Sequence, residues 1–178
     1  MVKLNDVVDQ LEVLMDESAA YLNRQTGELY MLTDEELLDA DEEGPGGSRQ
    51  GQEAEAEDSE EEDLDDDPEW LREAKAKARE VVNSDDWLEL PSKFDIHEYQ
   101  IMEDFCRDVE DEEISERLLR NIRGSGAFGR FRAAIDVLGI EQDWYQFRRA
   151  AFERIAIGWL EENGIEDDTE EKKESRRQ

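Results

Sequence analysis

The sequence predicts a mainly helical α+β protein, with a small antiparallel sheet (a hairpin plus one short strand) and a helical C-terminal module. Three observations lead there. Apolar residues recur at helical spacing through most of the chain outside one acidic stretch. A run with strand-like period, broken by a glycine-bearing turn, occurs only near the N-terminus. Gly124, Gly139 and Gly164 each fall just past a periodic run, where left-handed helix caps belong.

Taken in order, Val7, Val8, Leu11, Leu14 and Met15 define a short amphipathic helix within residues 5–16. In "AAYLNRQTGELYML" the period changes. Tyr21, Leu29, Tyr30 and Leu32 flank the polar "NRQTG", a hairpin whose Gly27 supplies the turn. Thr33 and Glu36 spell a capping box that opens the next helix. Asp67 as N-cap and Pro68 at the first helical position start a helix with Trp70, Leu71, Ala74, Ala78 and Val81 as its apolar stripe. "WLELP" at 87–91 is a short strand, and an isolated hairpin is marginal in water, so this strand is expected to join it. Asp95 and Glu98 give a second capping signature ahead of Ile96, Tyr99, Met102, Phe105, Cys106 and Val109. Three more stripes follow: Ile114, Leu118, Leu119 and Ile122; then Phe128, Phe131, Ile135 and Leu138; then Trp144, Phe147, Ala151, Phe152, Ile155 and Trp159. The expected organisation is an N-terminal helix, hairpin and short helix (1–42), a disordered acidic linker (43–67), a mainly helical domain packing with the N-terminal segment (68–165), and a disordered tail (166–178).

Charge sets the linker apart. The formal net charge is -31, and residues 41–67 hold fourteen acids, one base and a single large aliphatic residue, Leu64. Such a segment buries too little apolar surface to offset backbone ordering, which costs roughly 1–2 kcal/mol per residue. With Cys106 the only cysteine, neither an intramolecular disulfide nor a cysteine zinc cluster can form. The N-terminus does not resemble a signal peptide, and no apolar run reaches membrane-spanning length. These features predict a soluble cytoplasmic protein without a membrane partner or cofactor.

"GSGAFG" at 124–129 matches the glycine pattern of dinucleotide-binding turns. That turn must follow a strand, whereas "EEISERLLRNIR" has helical period. A turn between two helices is expected instead, with Gly124 capping the first and the second beginning near Ala127. Five arginines and no acid lie between Arg117 and Ile135, and a helix N-terminus there favours negative charge. The corner is therefore read as able to accept an anionic ligand, with Arg123, Arg130 and Arg132 as binding residues. Arg117, Arg120 and Arg123 also suit a helix C-terminus paired with acids such as those of "EDEE", and this pairing is favoured over anion binding. In "WYQFRR" Trp144 and Phe147 lie on the core stripe, leaving Tyr145 and Arg148 as surface contacts.

His97 is the sole histidine. Its carboxylate neighbours, Asp95 and Glu98, do not share a helix face with it, so a capping role is favoured over catalysis or metal binding. Asp63, Asp65 and Asp67 imitate the start of a calcium loop, but Pro68 and Ala74 occupy the positions that need glycine and glutamate. No catalytic or metal-binding set is assigned.

Four stretches, "DESAAYLNRQTGELYMLTDEEL", "ELPSKFDIHEYQIMEDFC", "DEEISERLLRNIRGSGAFGRFR" and "WYQFRRAAFERIAIGWLEENGI", together resemble the bacterial uncharacterised protein family numbered 0158. The family pattern G-x-G-A-F-x-R-F is met by Gly124, Gly126, Ala127, Phe128, Arg130 and Phe131, with Gly129 at a variable place. The resemblance implies a fold that agrees with the one read above and implies no activity. The expected function is a non-enzymatic interaction or regulatory protein of the bacterial cytoplasm, binding another protein rather than nucleic acid through its Arg-rich corner. One alternative is an acidic nucleic-acid mimic that occupies a basic protein; another is a hydrolase using His97 and nearby carboxylates.

Overall fold

The structure, a computed structural model, describes residues 2–42 and 68–168. Among them the order is α1 (Leu4–Val13), β1 (Ser18–Asn23), β2 (Leu29–Thr33), α2 (Asp34–Glu42), α3 (Glu69–Asn83), β3 (Trp87–Glu89), α4 (Glu98–Asp108), α5 (Glu112–Asn121), α6 (Ala127–Leu138) and α7 (Glu141–Glu162). The mainly helical α+β class is thus the observed one. The chain divides into two compact units, Glu17–Glu89 and Met1–Asp16 with Leu90–Gln178. The expected linker and Asp67 lie outside the described residues.

In the unit of residues 17–89, β1 lies between β2 and β3 and pairs antiparallel with both. Tyr21 sits opposite Tyr30, and Asn23 opposite Trp87. The hairpin turn is fixed locally: the Asn23 side-chain oxygen accepts from the amides of Gln25 and Thr26 at 2.9 and 3.0 Å. Thr33 and Glu36 form the anticipated capping box at the start of α2, bonded in both directions at 2.8 and 3.3 Å. Leu32, Ala40, Ala78, Val81 and Trp87 make the core of this unit. Burying a side chain such as Leu32 or Val81 stabilises it by about 1.5–3 kcal/mol. Trp70 departs from its expected place on the stripe of α3 and is 68% exposed. It stands in the first turn of that helix, whereas the buried stripe positions, Ala78 and Val81, come later.

The second unit is helical. Val7, Val8 and Leu11 bury one face of α1, which packs on α7, and α7 also contacts α4 and α6. Phe105 on α4 sits at the centre of an aromatic cluster, meeting Phe131, Trp144 and Phe147 edge-on at 5.9, 5.3 and 5.5 Å between ring centres. α1 lacks a cap from its own Lys3. Instead the carboxylate of Asp168 accepts from the Leu4 amide at 3.0 Å, and Asp167 forms a parallel bridge with Val2. Glu166, Asp167 and Asp168 were expected in the tail by their charge; here backbone pairing and helix capping engage them.

The second capping signature falls one turn earlier than the spacing of Asp95 and Glu98 suggested. Asp95 bonds the Ser92 hydroxyl and amide at 2.6 and 3.0 Å, closing the turn before α4, and His97 takes the N-cap position without a side-chain bond. Gly124, Gly139 and Gly164 all have positive φ, as the cap reading requires.

Cys106 is fully buried in α4, and burial pushes its thiol from the ordinary 9.0 up to about 11. The unfolded chain therefore loses this proton first as pH rises, so it holds fewer protons than the folded chain between those values. The thiol's contribution to stability is full below pH 9 and is lost as pH climbs through 11. Native protein at pH 8 should label slowly with a thiol reagent and fully once urea is added. Urea melts from pH 9 to 11 should show a shallower loss of stability in Cys106→Ala than in the parent.

Candidate functional site

The site lies wholly in the helical unit, where α5 gives way to α6. α5 is opened by Asp111, whose side chain accepts from the Ile114 amide at 3.0 Å, and it ends at Asn121. Residues 122–126 form the corner, with Gly124 and Gly126 at φ 78° and 76°. The glycine pattern thus spells a helix–helix turn, as its helical flank required.

Arg130 holds this turn together. From the first turns of α6 its guanidinium reaches back to the carbonyl oxygens of Asn121, Arg123 and Ser125 at 2.9, 2.7 and 2.6 Å, with Gly124 at 3.5 Å. The remaining carbonyl, of Ile122, accepts from the Tyr99 hydroxyl at 3.0 Å. Every carbonyl from 121 through 125 therefore has a side-chain donor, and each bond to Arg130 is charge-assisted. Arg130, one of the residues expected to bind an anion, instead directs its donors to the chain's own backbone.

A Cβ at Gly126 would stand 3.1 Å from the Arg130 Nη1 and would force a side chain into positive φ. Gly126→Ala is expected to destabilise the helical unit by about 1–2 kcal/mol and to speed amide exchange across 122–126. Exchange rates unchanged in that segment would remove Arg130's role as its clamp.

Arg148 is also engaged. Half-buried on α7, it donates to Glu12 of α1 at 3.3 Å and to Glu98 of α4 at 2.5 Å, and its guanidinium lies 4.4 Å from the Phe152 ring centre. Its neighbour Arg149 pairs with Asp9 and Glu12 at 2.9 and 3.2 Å. Arg120 pairs with Glu116 within α5. By contrast Arg123, Arg132 and Tyr145 are exposed, and the side chains of Arg123 and Arg132 form no ion pair among the described residues. Of the five residues expected to form the contact surface, Arg130 and Arg148 also bond within the fold, while Arg123, Arg132 and Tyr145 are exposed.

Next to the corner is an open cleft of about 460 Å³, lined by Phe94, His97, Tyr99 and Phe128 together with Asp16, Lys93, Ile96 and Glu98. Phe94 is 75%, Phe128 47% and Tyr99 43% exposed. Phe128 had been expected on the core stripe of α6, but Ala127, Phe131, Ala134 and Ile135 take that face and turn Phe128 toward the cleft. Its spacing to Phe131 concealed this, because three residues on a helix span either one face or its edge. Tyr99 likewise leaves the stripe of α4.

His97 lines this cleft, but its carboxylate neighbours have other partners. Asp95 is bonded to Ser92, which with a smaller effect of His97 lowers the Asp95 carboxyl below its usual range. Glu98 is paired with Arg148, and Asp16 with Lys93 at 3.0 Å. Among the described residues no group of three or more His, Cys, Asp and Glu side chains gathers as a metal site would require, and no helix is long and apolar enough to cross a membrane. The calcium-like aspartates lie outside the described residues.

No curated protein and no solved structure matches the chain. Residues 58–178, about two thirds of the sequence, match the family described as Uncharacterised protein family (UPF0158), and the match takes in the cleft residues 93–99, the corner and all of α7. The hairpin stretch of the resemblance precedes it. The chain belongs to the Uncharacterised protein family (UPF0158).

Proposed function

We propose that this is a non-enzymatic interaction protein that binds a partner protein against the α5–α6 corner, with Arg123, Arg132 and Tyr145 as contact residues. The observation that supports it is the contrast within the corner. Arg130 and Tyr99 satisfy the backbone carbonyls and stiffen the turn, while Arg123 and Arg132 remain exposed without an ion pair among the described residues. A preorganised turn costs less ordering on binding, and unpaired guanidinium groups on it suit carboxylates. Arg148 contributes here by fixing α7, which carries Tyr145, to α1 and α4. The hydrolase reading lacks support from the carboxylates around His97, which are bonded elsewhere.

Affinity capture from a bacterial lysate tests the proposal, using the parent chain, Arg123→Ala/Arg132→Ala, and a chain lacking 43–66. Partners held by the parent should be lost with the double variant, should weaken at high salt, and should survive the deletion. Retention of every partner by the double variant would overturn the proposal. Loss on deletion alone would favour nucleic-acid mimicry by the acidic segment.

A further inference from the structure

We infer that the cleft between Phe94, Tyr99 and Phe128 docks a short acidic segment of a partner protein, seated by one aromatic or large aliphatic side chain. The inference rests on the proposed role of the corner and adds the pocket and the chemistry of its ligand. The cleft's volume, about 460 Å³, lies within the range of small-ligand sites and suits one large side chain with its flanking backbone. Three aromatic side chains that line a single cleft and remain 43–75% exposed form an apolar contact surface rather than scattered surface residues. The wall is held in place: Tyr99 is anchored through its hydroxyl to Ile122, Ile96 is 2% exposed, and Phe128 stands in the first turn of α6.

Charge selects the segment. The two carboxylates lining the cleft, Asp16 and Glu98, are paired with Lys93 and Arg148. Arg132 lies one turn along the same face of α6 as Phe128, and Arg123 directly follows the carbonyl that holds Tyr99. Arg123 and Arg132, exposed and without an ion pair among the described residues, thus add positive charge to the corner and the helix that carry Tyr99's anchor and Phe128. A ligand complementary to both features carries an apolar anchor with one or two carboxylates next to it. Aromatic and arginine side chains also suit single-stranded nucleic acid. A strand, however, would bring one phosphate per nucleotide against a chain of net charge -31, with Arg123 and Arg132, which form no ion pair among the described residues, to meet them.

Titration of the isotope-labelled full chain followed by amide NMR tests this, with a blocked peptide bearing a central phenylalanine among glutamates and serines as the probe. Shifts should centre on 93–99 and 122–132, with affinity at least about tenfold above that of the same peptide with alanine at its centre or lysines for its glutamates. Phe94→Ala/Phe128→Ala should abolish the shifts while circular dichroism stays unchanged. Shifts absent from the cleft, equal binding of the alanine or lysine peptide, or tighter binding of an oligouridylate at the same residues would each overturn the inference. If the phenylalanine variant still captures partners that Arg123→Ala/Arg132→Ala loses, the corner reading stands and only the cleft assignment fails.

Discussion

Phe105→Ala is expected to lower the stability of the helical unit by about 3–5 kcal/mol, the usual range for removing a large aromatic side chain from a packed core. Phe105 is 4% exposed and touches aromatic rings from two other helices, Phe131 on α6 and Trp144 with Phe147 on α7. Its removal opens a void at the point where three helices converge, and the neighbouring rings can collapse into it only by leaving their edge-on geometry. Aromatic pairs contribute roughly 0.5–1.5 kcal/mol beyond their buried area, and the three contacts are not additive. Domains are stable by only about 5–15 kcal/mol, so this one change removes a large share. Urea unfolding followed by amide exchange in α4, α6 and α7 provides the measurement. A midpoint shift of about 2 M is expected, and one below about 0.5 M would mean that the cluster is not the core of the unit.

Arg148→Met is expected to cost about 2–3 kcal/mol. The pairs it forms with Glu12 and Glu98 are only about a quarter exposed, 23% for Glu12 and 28% for Glu98, so solvent screens them incompletely. The methionine keeps an apolar stem over Phe152 and isolates the electrostatic part of the loss. Glu98→Gln in the Arg148→Met background should recover about half of it, because Glu98 is the carboxylate left without its counterion, whereas Glu12 keeps Arg149 at 3.2 Å. The exposed pair of Arg120 and Glu116 provides a control, expected to change stability by less than about 0.5 kcal/mol. An Arg148 variant as stable as the parent would return this residue to the surface role read from sequence.

What the sequence revealed of the fold was local. The Thr33–Glu36 box, the Asn23–Gly27 turn and the glycine caps each depend on residues a few positions apart, so their physics is written in the spacing. The three aromatic misplacements have a common cause. Trp70, Tyr99 and Phe128 match their stripes by period, yet all stand in the first turn of a helix, where burial depends on what the neighbouring elements reach.

The site was less legible for a different reason. Arg148 finds its carboxylates 136 and 50 residues away. Arg130 spends its donors on backbone carbonyls, which every residue carries and no sequence marks. A cluster of arginines therefore predicts positive charge, while only coordinates separate the guanidinium groups committed to the fold from those left facing solvent.

The Asp168 cap on α1 bears on the order in which the molecule assembles during synthesis. The carboxylate that satisfies the Leu4 amide emerges from the ribosome 164 residues after Leu4 itself, just after the α7 surface on which α1 packs. The unit of residues 17–89 is contiguous and complete well before that moment. Nascent α1 must therefore wait, with Val7, Val8 and Leu11 uncovered, until α7 and Asp168 have been made.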